Sequence, residues 1–152
     1  MKIFLPILIL LSILHADDNF HFSAKYAKSY EKDYSLYMSG VEFGSDFYID
    51  NTFYIPVNLG LEAFKVEPNN VKVVNISPSV GLKYKDILFS DFSLVTGVAL
   101  GASLQFNNSN DNNFDIFVEP FIGGAYGDIE IKAALRTTMY YQYSILSIQY
   151  DF

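Results

Sequence analysis

Glu62, Lys83, Glu119, Glu130, Lys132 and Arg136 are the residues of this chain best placed to act together, because all six fall on the polar side of alternating segments, a side interspersed with Gly, Ala and Ser. Carboxylates and cations brought into one enclosed space would pair with each other and block a continuous water path. That is the chemistry of a sealed polar interior, not of turnover. Catalytic residue types are scarce. After residue 16 the only histidine is His21, and His21-Phe22-Ser23 has no recognisable nucleophile context. The absence of Cys removes thiol catalysis, disulfide staples and a lipid-modified cysteine. The acidic residues lack the spacing of a calcium loop, and a lone His makes no zinc site. No catalytic residue, cofactor or metal is therefore expected. Asn75-Ile76-Ser77 and Asn107-Asn108-Ser109 match a glycosylation acceptor, though the first lies inside an alternating segment. Gly123 to Gly127 is glycine-rich but opens no helix, so turn formation accounts for it.

Positioning six charges on one side requires strands. Successive strand side chains point to opposite faces, and period-two alternation recurs through almost every segment after residue 17. Phe53, Ile55, Val57, Leu59, Leu61 and Ala63 oppose Tyr54, Pro56, Asn58, Gly60 and Glu62. Ile129, Ile131, Ala133, Leu135, Thr137 and Met139 oppose Glu130, Lys132, Ala134, Arg136 and Thr138. Between residues 92 and 106 the inward side, Ser93, Val95, Gly97, Ala99, Gly101, Ser103 and Gln105, consists mostly of small residues. Eight strands are expected, over 20–29, 34–48, 52–64, 71–84, 92–106, 114–126, 128–140 and 142–152. Pro56, Pro78 and Pro120 fall inside strands, where bulges are expected. The connection 85–91 is long and partly apolar, so it either forms a turn or continues a strand.

The faces decide what surrounds the sheet. Eight strands closed around the bulky apolar set would be crowded, whereas small and charged residues suit the narrow interior of a small barrel. Turning the apolar set outward creates a belt that lipid tolerates and water does not. The composition agrees: 12 Tyr and 14 Phe suit strands and membrane interfaces. A formal net charge of −7 with one Arg makes a poor nucleic-acid binder. At the amino terminus, Met1 to Ala16 has one basic residue, an apolar run from Ile3 to Leu14 and a small residue before Asp17-Asp18, the layout of a cleavable export signal. The run is too short for a membrane helix. The expected organisation is a signal peptide over 1–16 and one barrel domain over 17–152.

The last segment, Tyr143 to Phe152, places Leu146, Ile148, Tyr150 and Phe152 on one face and ends on an aromatic residue. This amphipathic final strand resembles the closing strand of bacterial outer-membrane β-barrels. With eight strands after a signal peptide, the whole chain resembles the small outer-membrane proteins of the OmpX and OmpA transmembrane-domain type. The resemblance implies an all-β, eight-stranded antiparallel up-and-down transmembrane barrel in the outer membrane of a Gram-negative bacterium. It also implies outer-membrane lipid as surroundings, and a barrel-assembly machinery that reads the terminal aromatic pattern during biogenesis. An even strand number puts both ends on the periplasmic side. Residues 29–33, 65–70, 107–113 and 138–141 would then face outward, and any extracellular ligand would be met through them. The Gly127-Asp128 turn would face the periplasm. The function expected is non-enzymatic, envelope-structural or surface-interacting, with the polar lumen plugged. Two rivals are a soluble lipocalin-like barrel holding an apolar ligand and an envelope enzyme acting on lipid A.

Overall fold

The computed structural model describes residues 20–30, 35–67, 71–107 and 113–152. The expected signal segment lies outside them, as does most of the 107–113 connection. Eight strands follow in order: β1 (Phe20–Tyr30), β2 (Ser35–Tyr48), β3 (Phe53–Glu67), β4 (Val71–Phe89), β5 (Phe92–Asn107), β6 (Asn113–Tyr126), β7 (Ile129–Thr138) and β8 (Gln142–Asp151). Each pairs antiparallel with the next, and β8 returns to β1, with Ile148 opposite Ala24, so the sheet closes into a barrel. Closure leaves no strand edge without partners.

Alternation sets the sides. Ile55, Leu100, Leu135 and Ile148 point outward with 37%, 56%, 40% and 52% of their surface exposed, while Glu130 and Arg136 point inward at 0% and 1%. A barrel that turned its apolar face inward would show the reverse. The lipocalin-like alternative, which needs an apolar interior, is corrected by this orientation.

Paired aromatic rings line the outside at the end that holds the chain termini. Phe20 and Phe152 lie 5.7 Å apart, Phe53 and Tyr84 5.2 Å, and Phe89 and Phe92 5.3 Å. Such a girdle suits a membrane interface, where rings bury their bodies against hydrocarbon beside hydrated headgroups.

The two largest departures from the expected boundaries are at the ends of β4 and β3. β4 continues to Phe89, so Lys85 and Asp86 pair with Val95 and Leu94, and the turn shrinks to Ser90-Asp91. β3 runs to Glu67, opposite Ser35. Of the two readings of 85–91, turn or continued strand, the second therefore holds.

The prolines also behave differently from expectation. The ladder skips Pro56 on its β4 side, Pro78 on its β5 side and Pro120 on its β7 side, yet the register is the same before and after each gap. An antiparallel residue exchanges both backbone bonds with one neighbour, so a missing N–H interrupts one side only. Pro78 still pairs with Leu59, and Pro120 with Val98. No bulge forms at any of the three. Among the described residues the one register shift lies between Ile87 and Phe89, beside the Ser90-Asp91 turn.

Small residues in β5 make room for rings from β6. A Cβ on Gly97 would strike the Phe121 ring, and one on Gly101 the Phe117 ring. The Gly127-Asp128 turn uses a positive φ of 55° at Gly127, which glycine adopts without strain.

Candidate functional site

The lumen has two levels. Near the termini it is polar; near the opposite end Ala27, Leu36, Met38, Phe64, Tyr143 and Ile145 form a buried apolar cluster. The division of the interior into a polar and an apolar level was not part of the sequence expectation. Single apolar residues on a polar face read as interruptions in any one strand, and only closure brings them together.

In the polar level, Arg136 on β7 reaches across the barrel. Its Nη1 donates to both carboxylate oxygens of Glu62 on β3 at 2.8 Å, and its Nε donates to Glu119 Oε2 on β6 at 2.5 Å. The guanidinium carbon lies 4.1 Å from the centre of the Phe117 ring, the ring for which Gly101 leaves space. Ser77 Oγ donates to Glu62 Oε2 at 2.9 Å. Lys25 on β1 pairs with Glu42 on β2 and stands 3.8 Å from Glu119 Oε1, which joins the Arg136 group to the first hairpin.

Closer to the termini, Lys83 on β4 pairs with Asp46 and lies 3.4 Å from Glu130 Oε2. Lys132 lies 2.9 Å from Glu130 Oε1 and donates to Gln149 Oε1 at 2.7 Å. His21 donates from Nε2 to Asn58 Oδ1 at 2.9 Å, and its Nδ1 stands 3.9 Å from Asp46 Oδ1, beyond hydrogen-bond reach.

All six residues singled out from the sequence therefore lie in one charged layer, together with Lys25, Glu42 and Asp46, which were not gathered with them. Their signal was present: Lys25 alternates with Ala24 and Tyr26, and Glu42 and Asp46 share a side with Gly40 and Gly44. Serines on the outward side of β2 and its glycines blurred the contrast. Among these charges lies a cavity of about 30 Å³, room for roughly two water molecules. Above the layer, a cavity of about 310 Å³ is bounded by Phe64, Tyr141 and Tyr143 on one side and Asn75, Ser103 and Gln105 on the other.

No known family matches the sequence, and no curated protein resembles it in sequence. Solved structures do resemble it in shape. Neisserial surface protein A superposes with a TM-score of 0.61 at 13% identity, over 90% of this chain and 98% of that one. The fold is that of the small outer-membrane β-barrels. The outer membrane protein Ail of Yersinia pestis, in a phospholipid bilayer nanodisc, gives 0.51 at 14% identity over 90% of this chain and all of that one. The outer membrane enzyme PagL gives 0.52 at 10% identity, over 87% and 98%. One architecture thus carries both enzymes and proteins not described as such, and the lumen and surface of this chain must supply its own functional reading.

In this chain, the two residues nearest to a hydrolytic pair face inward. His21 and Ser23 are 2% and 0% exposed, and the Ser23 hydroxyl turns to Gln149 Oε1 at 3.4 Å, not to His21.

Proposed function

We propose that the protein is an integral outer-membrane barrel whose lumen is closed by the Arg136 layer and whose role is envelope-structural or surface-presenting, without catalysis. The observation that carries this is the pairing of Arg136 with Glu62 and Glu119 across the full width of the barrel, beside a cavity of about 30 Å³. A hydrated ion needs a continuous path wider than two water molecules, and paired charges hold the side chains in its way. The outward apolar belt and the aromatic girdle favour placement across a bilayer, with the termini on the periplasmic side. The inward aim of His21 and Ser23 favours the non-enzymatic reading over one that acts on membrane lipid, since a lipid substrate would approach the outer face.

Leu146, Ile148, Tyr150 and Phe152 serve in this account as the closing-strand signal for assembly. All four face outward, and the Phe152 amide donates to Phe20 O at 2.9 Å where β8 meets β1. Planar-bilayer recording tests the sealed lumen. The purified protein should give no steady large-conductance openings at neutral pH, and their appearance would remove the plug from the account.

A further inference from the structure

On the outside of the barrel, at the end away from the termini, Lys28 stands opposite Tyr37, Tyr37 opposite Lys65, and Lys65 opposite Lys72. The row crosses four consecutive strands in register, and alternation turns all four side chains outward. Lys28 lies over the Tyr37 ring at 5.0 Å. Lysines directly opposite each other on one face repel. Glu67 pairs with Lys65 at 2.5 Å, but among the described residues no acid is paired with Lys72.

Concentration of cations here is unusual for this chain. Its other described cations sit in the lumen or, as Lys85 beside Asp151, near the opposite rim. At the same end, the outward residues of β5 and β6 are Phe106 and Phe114, so among the described residues the basic row is confined to one sector. One step below the row, Tyr26, Ala63 and Val74 begin the apolar belt, and a surface groove of about 330 Å³ runs between them with Lys65 and Lys72 at its lip.

We propose that this sector is a binding site for a phosphorylated lipid of the outer leaflet, with phosphate against Lys65 and Lys72 and an acyl chain in the groove beneath. The assignment rests on the membrane placement proposed above. A row of cations facing sideways at the edge of an apolar belt meets headgroups, not soluble ligands, and two opposed ammonium groups are relieved by one shared phosphate. The tyrosines suit the same depth, with ring bodies in hydrocarbon and hydroxyls in the headgroup layer.

The test measures the thermal unfolding midpoint of the full barrel in neutral detergent micelles with bis-phosphorylated lipid A, phosphate-free lipid A or inorganic phosphate. Bis-phosphorylated lipid A should raise the midpoint by about 4 °C, and the Lys65→Gln/Lys72→Gln double variant should lose that rise. A Lys85→Gln variant, altered at the other rim, should keep it. Equal rises in wild type and double variant, an equal rise with phosphate-free lipid A, or a rise with inorganic phosphate alone would each overturn the site. Compact migration of unboiled wild type and variants on gels shows that the barrel stands whichever way the lipid result falls; its absence in the wild type would instead remove the membrane reading.

Discussion

At the residue scale, Arg136 holds the polar level together. It is 1% exposed and binds two carboxylates from strands on different sides of the barrel. Removing one partner of a buried pair leaves the others desolvated and uncompensated, which costs about 3–5 kcal/mol. Arg136→Ala should lower stability by that amount in urea unfolding from detergent. Arg136→Leu combined with Glu62→Gln and Glu119→Gln should recover part of the loss, since it removes the stranded charges as well. A different residue governs the turn after β2. Asp50 accepts from the amides of Thr52 and Phe53, both at 2.8 Å, and from the Thr52 hydroxyl at 3.0 Å. These bonds, the Thr52 amide first, hold its carboxyl below the ordinary carboxylate range. A depressed pKa contributes stability that is present above the ordinary value and lost as pH falls through the depressed one. Amide exchange at Thr52 and Phe53, corrected for its intrinsic pH dependence, should therefore gain protection on raising pH through the acid range. Asp50→Asn should flatten that profile.

At the element scale, strand number and facing were legible because each strand buries one side and alternation records it residue by residue. Strand ends were not. The connection 85–91 was left open between a turn and a continued strand; in the barrel Lys85 points into the rim of the lumen beside Asp151 and Asp86 accepts from the Tyr84 hydroxyl at 2.8 Å, so both fit a strand. The prolines were legible as residues but misread in effect, because whether a missing N–H matters depends on which neighbour it would have faced. Facing also makes a sharp prediction. Leu100 is 56% exposed at mid-strand in β5; in water, replacing it by lysine would be nearly neutral, but in hydrocarbon it costs about 2–4 kcal/mol. Leu100→Lys should therefore destabilise the barrel in lipid bilayers by that amount, measured by reversible unfolding. For β8, Phe152→Asp should lower the amount of folded barrel reaching the membrane in cells while changing the stability of folded protein little. A large loss of stability with normal assembly would make Phe152 a structural clasp and not a signal.

At the scale of the whole molecule, one inversion explains most of the rest: charged side chains inside, a belt of bulky aliphatic side chains outside. The sequence pattern exposed this inversion because a barrel interior of eight strands admits little volume. It concealed the division of the lumen into charged and apolar levels, because Leu36, Phe64 and Tyr143 meet only after the first and last strands close. The sector of lysines was hidden for the same reason, since Lys28, Lys65 and Lys72 are far apart along the chain and become neighbours through register. The absence of native cysteine makes the inversion directly measurable. Single replacements Ile129→Cys through Arg136→Cys along β7, each carrying a fluorophore, can be read in bilayers containing brominated lipid. Quenching should alternate with period two, strong at 129, 131, 133 and 135 and weak at 130, 132, 134 and 136. Uniform quenching, or strong quenching at 130 and 136 with none at 131 and 135, would contradict the account.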